Sequence, residues 1–162
     1  MLKDKVRKLA GLRAAVRRLR KQGKKIVFTN GCFDILHLGH ARYLEEARRL
    51  GDILVVAVNN DASVRRIKGP QRPIVPEGER AGLLAALECV DLVVLFAEDT
   101  PLKAIEALCP DVLVKGADWK KDDIVGAEFV RAHGGKVATV KLVKGLSTTS
   151  IINNIKHTRR CC

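Results

Sequence analysis

Over residues 1–23 the apolar positions recur at spacings of three and four: Leu2, Val6, Leu9, Leu12, Val16 and Leu19. That spacing predicts one helix with a single apolar stripe, ending near Gly23. From Lys25 the pattern changes to short unbroken apolar runs. Ile26-Val27-Phe28, Ile53 to Val58, Leu92 to Phe96, Val112 to Val114 and Val137 to Val140 read as five strands. Between them lie amphipathic stretches that read as helices. One runs from Ala41 to Leu50, closed by Gly51, and a short one is capped by Asp61 and runs through Arg66. One runs from Glu79 to Glu88 with Leu83, Leu84 and Leu87 inward, and one runs from the cap Thr100-Pro101 to Leu108. Another is capped by Asp122 or Asp123 and ends near His133, and a last one is opened by Ser147 or Thr148 and ends near His157. The three prolines of the segment from Gly69 to Pro76 make it a loop.

Strands that are apolar throughout, alternating with helices, predict an α/β fold with a parallel sheet covered on both faces. We expect a Rossmann-like, doubly wound, five-stranded parallel sheet of order 3-2-1-4-5, with an extra basic N-terminal helix. The expected division is a basic amphipathic helix over 1–23, a domain over 24–158 and a tail over 159–162. Ligands of such sheets bind beyond the carboxyl ends of the strands, where the strand order reverses. Strands one and four flank that point, so the loops leaving them are expected to converge.

Composition narrows the picture. The chain has 162 residues, 47% hydrophobic and 30% charged, which fits one globular domain. No apolar run approaches the ~20 residues of a membrane span. No uninterrupted apolar segment follows the cationic N-terminus, so no secretory signal is expected and the cytoplasm is the expected compartment. The net charge of +12 is uneven: residues 1–25 hold eleven Lys and Arg against Asp4 alone, and residues 26–158 are balanced. That argues against nucleic acid as a partner of the core. The basic face of the first helix (Lys3, Lys5, Arg7, Lys8, Arg13, Arg17, Arg18, Arg20, Lys21) reads first as a solvated face of a helix packed on the domain. An acidic partner, a membrane surface or nucleic acid is the rival reading. Five cysteines (Cys32, Cys89, Cys109, Cys161, Cys162) form no CxxC pair and no zinc-ligand spacing. Cys89 and Cys109 read as packed thiols, and Cys32 as a small residue in a tight turn.

The chemistry centres on Asn30-Gly31-Cys32-Phe33-Asp34-Ile35-Leu36-His37-Leu38-Gly39-His40. The stretch links the first strand to a helix, whose start offers unpaired N–H groups and a positive dipole end to an anion. Two imidazoles there can hydrogen-bond phosphate oxygens. Neither GxGxxG nor GxxxxGK[ST] is present, which excludes a dinucleotide fingerprint and a P-loop.

This stretch resembles the HxGH motif of the cytidylyltransferase-like nucleotidyltransferases. Lys68-Gly69-Pro70-Gln71-Arg72-Pro73, Glu79-Arg80, Val114-Lys115-Gly116-Ala117-Asp118-Trp119 and Ser147-Thr148-Thr149-Ser150 agree with it, from about Lys24 to Lys156. Within the superfamily the resemblance is nearest to the D-glycero-β-D-manno-heptose 1-phosphate adenylyltransferases, which occur alone or as the C-terminal half of a bifunctional kinase/adenylyltransferase. It implies transfer of AMP from ATP to a sugar 1-phosphate, giving ADP-heptose and pyrophosphate for lipopolysaccharide precursor synthesis. The alternative is a related cytidylyl- or adenylyltransferase acting on another phosphorylated small molecule.

The resemblance also implies roles. His37, His40 and Lys68 would be catalytic. Asn30, Gly31, Cys32, Phe33, Asp34, Gly39, Lys115, Gly116, Asp118, Ser147, Thr148 and Thr149 would bind the nucleotide, and Arg72, Arg80 and Trp119 the acceptor. Mg²⁺ would be held mainly by the triphosphate, with Asp34 the one nearby carboxylate. A homodimer is implied by the same analogy. Each role has a plainer rival. Ser147 and Thr148 are good helix caps, Lys68 and Arg72 flank an exposed loop, and Asp118-Trp119 fits a turn. Arg80 can pair with Glu77, and His133 and His157 read as helix-end and tail residues. One position departs from the glycerol-3-phosphate cytidylyltransferase pattern: Leu142 stands where those relatives have arginine, with Lys141 and Lys144 as the nearest charges.

Overall fold

The computed structural model describes residues 2–120, 123–141, 143 and 145–158, without the side chains of Leu2 and Lys3. Asp122, Leu142, Lys144, Arg159, Arg160, Cys161 and Cys162 lie outside the described residues. One sheet holds β1 (Ile26–Gly31), β2 (Ile53–Asn59), β3 (Leu92–Phe96), β4 (Val112–Gly116) and β5 (Lys136–Val140). Its order is β3-β2-β1-β4-β5 and every pairing is parallel, as expected. Ile26 lies opposite Ile53, and Val27 opposite Val112.

The helices are α1 (Leu2–Lys5), α2 (Leu9–Lys21), α3 (Leu38–Arg48), α4 (Asp61–Lys68), α5 (Glu77–Ala86), α6 (Leu102–Leu108), α7 (Ala127–Ala132) and α8 (Thr148–Thr158). Leu12 and Val16 of α2, Ile105 and Leu108 of α6, and Val130 of α7 pack with Ile26 and Phe28 on one face. Tyr43 and Leu44 of α3 and Leu84 of α5 pack with Val27, Leu54 and Val56 on the other. A strand covered on both faces has no polar side to show, so these runs are apolar without alternation. Three aspartates fix the lower ends of the strands. Asp52, Asp91 and Asp111 each accept an N–H from an adjacent segment, at Lys25, Leu54 and Ile26, each at 2.7 Å.

The expected single N-terminal helix is instead two. Arg7 N–H donates to the Val93 carbonyl at 2.9 Å, and Val6 bridges Val93 in parallel. β3 is an edge strand with unpaired backbone groups, and covering them outweighs continuing the helix. Several basic side chains then find carbonyls. Lys5 Nζ donates to Val90 at 2.7 Å, and Arg20 donates to Leu108 at 3.0 Å and also to Cys109. Arg13, Arg17, Arg18 and Lys21 are exposed.

Helix starts were displaced elsewhere. Asn60, not Asp61, caps α4, its Oδ1 accepting Ser63 N–H at 2.8 Å. α3 starts at Leu38, three residues before the expected Ala41, and α7 starts at Ala127, after Gly126 at φ +84°. α5 starts at Glu77 and turns Leu83 outward, 51% exposed, while Ala81, Leu84 and Ala85 face the core. Cys32, Cys89 and Cys109 are free and half-buried. Among the described residues no helix is long and apolar enough to cross a membrane.

Candidate active site

β1 ends at Gly31, and the chain turns sharply at Phe33, which holds φ +47°, a conformation unfavourable outside glycine. The turn buries the Phe33 ring edge-on against His40, with centroids 5.2 Å apart. His37 is extended and takes the cap position of α3, and His40 falls in its first turn. The two imidazoles stack at 3.8 Å with 23° between planes. Among the described residues nothing partners their buried Nδ1 atoms or Asn30 Oδ1. Buried polar atoms are normally partnered, so three such atoms around one turn single it out as a candidate ligand contact. Gly39 is required by closeness: a Cβ there would lie 2.9 Å from His37 Nδ1 and 3.3 Å from Leu146 Cβ. Burial lowers the His37 pKa. Burial first, and the neighbouring His37 second, push His40 down to about 4, against a hydrogen bond to the Ile35 backbone. The pair is therefore neutral at pH 7.

Opposite, β4 ends in Lys115-Gly116. Lys115 Nζ donates to the Asn30 carbonyl at 3.3 Å and lies 5.8 Å from the centre of the Trp119 ring. Burial lowers its pKa to about 8, while Asp118 and Cys32 pull it back up. Burial also raises the Cys32 thiol above its ordinary value, so it stays protonated at pH 7. Ser147 Oγ accepts Ser150 N–H at 3.0 Å, so Ser147 does cap α8.

Two adjoining cavities open on this crevice. The first, about 440 Å³, is walled by Gly31, His37, Gly39 and His40 on the β1 side. Lys115, Gly116, Asp118 and Trp119 wall it on the β4 side, and Ser147 and Thr148 close it. The second, about 480 Å³, reaches from Asp34 and Arg72 to Thr149. Asn30, Cys32, Phe33, His40, Lys68 and Lys115 face both. The converging loops are thus those expected from the strand order.

Two expected site residues have different surroundings. Arg80 faces neither cavity. It is 0% exposed and donates to the Val75 carbonyl at 2.9 Å, to the Cys32 carbonyl and to Asp61 Oδ1 at 2.8 Å. The expected Glu77 partner instead accepts Asp61 N–H at 2.7 Å. Asp34 is 2% exposed, pairs with Arg72 and accepts the N–H groups of Ile74 and Val75 at 2.7 and 2.9 Å. Both its oxygens are committed to that loop, so it is not a free carboxylate for magnesium. Among the described residues no group of three or more His, Cys, Asp or Glu is placed to hold a metal.

The sequence reading missed several lining residues. Tyr43 faces the first cavity, its hydroxyl 2.7 Å from Thr29 Oγ1 and donating to the Val114 carbonyl at 3.2 Å. Asn59, Asp99 and Thr100 face the second. They stand at the carboxyl ends of β2 and β3, where the rule that located the other loops also applies. Thr100 is not the expected helix cap: α6 starts at Leu102, with Pro101 in the cap position.

A cytidylyltransferase-like family model matches residues 28–157. The chain is similar to the bifunctional protein HldE of Citrifermentans bemidjiense, 58% identical over 152 residues covering 94% of this chain and 31% of the relative. The bifunctional protein HldE of Magnetococcus marinus is 57% identical with the same coverage. The chain thus spans about a third of the length of these curated relatives. Among solved structures, the lipopolysaccharide core biosynthesis protein of Thermoplasma volcanium is 38% identical at TM-score 0.60, covering 75% of this chain and 98% of that one. Pantoate-beta-alanine ligase of Francisella tularensis, 16% identical at TM-score 0.59 with 97% and 79% covered, shares the fold alone. A family model over most of the length, and a solved relative matched almost end to end, place this chain in the cytidylyltransferase-like family.

Proposed function

We propose that the protein transfers AMP from ATP to D-glycero-β-D-manno-heptose 1-phosphate, releasing ADP-heptose and pyrophosphate. The observation that carries the reading is the join of the two cavities, where His40, Lys68 and Lys115 face a space open to both. The similarity to the HldE proteins and to the Thermoplasma volcanium protein supports the sugar branch.

An acceptor phosphate oxygen attacks the α-phosphorus of ATP. The bond from that phosphorus to the bridging oxygen breaks, and pyrophosphate leaves with the electron pair. A phosphate monoester is largely ionised near pH 7, so no general base is needed. The site's task is positioning and charge stabilisation. His37 and His40, neutral in the free cleft, offer N–H groups to the triphosphate, with Lys68 neutralising charge beside them. Asn30, Gly31, Cys32, Phe33, Gly39, Lys115, Gly116, Asp118, Ser147, Thr148 and Thr149 form the nucleotide's bed. Trp119 and Arg72 border the acceptor, and Asp34 and Arg80 act by holding the loops. Magnesium would be held mainly by the triphosphate, since Asp34 is committed to its loop. The catalytic unit is residues 24–158, with α1 and α2 packed on it. The reading places the protein in the cytoplasm and includes a homodimer, for which α8 offers a surface: it buries none of its residues and leaves Ile155 55% exposed.

The test is pyrophosphate release from each of four nucleoside triphosphates, with and without the heptose 1-phosphate. Release is expected with ATP, Mg²⁺ and the acceptor together. Release with CTP in place of ATP overturns the choice of base, and none with any of the four overturns the reaction.

Lys115 gives a pH signature. Its folded pKa is lowered, so it is cationic at pH 7 and loses its charge as pH rises through about 8. A bound triphosphate stabilises the charged form. ATP affinity is therefore expected to fall by up to about tenfold per pH unit above 8. Calorimetric titration between pH 7 and 9 checks this, and Lys115→Arg should flatten the dependence. A flat profile in the unaltered protein removes Lys115 from the triphosphate contacts.

A further inference from the structure

The second cavity has a wall that the reaction as written does not use. It is the turn Asp99-Thr100 after β3, with Asn59 beside it at the end of β2. The turn is held by a buried polar chain. Asn59, 3% exposed, donates from Nδ2 to Ser63 Oγ at 2.9 Å, and Ser63, 0% exposed, donates to the Glu98 carbonyl at 2.9 Å. Arg66 completes the support, donating to the Ala97 carbonyl at 2.6 Å and to Asp99 Oδ1 at 2.7 Å. Burying polar groups to fix an exposed turn is costly unless the turn must be placed accurately. Both contacts of Arg66 with Asp99, from Nε and Nη2, fall on Oδ1, and among the described residues no donor reaches Asp99 Oδ2. A carboxylate oxygen fixed in direction and left without a donor is a hydroxyl acceptor, and Thr100 adds a second hydrogen-bonding group. Across the same cavity stands Lys68, a cation suited to a phosphate. The cavity is therefore bipolar, with an anion end at the join with the first cavity and a hydroxyl-reading end at the β3 turn.

We propose that Asp99, oriented by Arg66 and flanked by Thr100 and Asn59, reads the hydroxyls of a phosphorylated polyol acceptor and so sets acceptor specificity. The inference rests on the nucleotidyl-transfer reading for the identity of the phosphate partner. The Asp99–Arg66 pair is half-exposed, so changing either residue is compatible with folding.

The experiment measures dissociation constants by calorimetry for heptose 1-phosphate and for methyl phosphate, which has the anion but no polyol. Both are titrated into the ATP-analogue-loaded protein, unaltered or carrying Asp99→Ala or Arg66→Ala. Asp99→Ala is expected to weaken heptose 1-phosphate about 10- to 100-fold and to leave methyl phosphate unchanged. Arg66→Ala, which only loosens the carboxylate, should cost about threefold. Equal weakening of both ligands, equal effects of the two substitutions, no effect of Asp99→Ala, or no binding of the sugar phosphate to the unaltered protein overturns the subsite. Asp99-dependent binding without pyrophosphate release overturns the reaction and leaves the subsite standing.

Discussion

Replacing His40 with alanine is expected to lower kcat by about 10²–10³-fold, with ATP affinity changed much less. The reason lies in how the imidazole is held. Phe33 meets it edge-on, His37 stacks on it at 3.8 Å, and among the described residues nothing partners its Nδ1. A donor fixed before the ligand arrives needs no reorganisation when charge builds on the α-phosphoryl oxygens, which is where such groups contribute most. Because burial and His37 hold its pKa near 4 in the free cleft, no loss of His40 charge shapes kcat/KM between pH 6 and 8. A proton-transferring histidine near its ordinary pKa would instead give an acidic limb in that window. Single-turnover rates with circular dichroism as the folding control decide the matter. Near-normal turnover in folded His40→Ala removes the pair from the mechanism.

The second large effect falls on stability. Arg80 ties three segments together: the motif loop through the Cys32 carbonyl, the loop before α5 through Val75, and the start of α4 through Asp61. Arg80→Ala strips all three of their donor and leaves Asp61 unpaired at 25% exposure. Breaking a buried pair costs about 3–5 kcal/mol, and the partial exposure of Asp61 points to the lower end. In a chain of this size that lowers Tm by about 6–12 °C. Arg80→Lys keeps a charge but not the fork, and should fall between. Thermal melts measure both. An unchanged Tm with a raised acceptor KM would return Arg80 to the acceptor-binding role that the family resemblance implies.

These cases show what the sequence discloses. Unbroken apolar runs disclosed the strands because burial on both faces leaves no polar alternation, and the strand order followed, bringing the loops after Phe28 and Val114 together. Partner choice was not legible. Arg80 and Asp34 look like ligand-binding charges in a motif, yet each is saturated by backbone groups and one opposite charge 5 to 48 positions away. The break at Val6 was hidden because a three-four apolar spacing is satisfied equally by a continuous helix and by a helix, a bridge to an edge strand and a second helix. Asp99 was passed over because a Thr-Pro pair reads so well as a helix start that its place above β3 went unused.

The central claim is that this cleft moves the α-phosphoryl group of ATP, not the γ. The most direct measurement is the fate of label from ATP carrying ³²P at either position, with Mg²⁺ and heptose 1-phosphate present. Label from the α position is expected in the sugar nucleotide, and label from the γ position in pyrophosphate. Label from the γ position in a sugar phosphate would contradict the account.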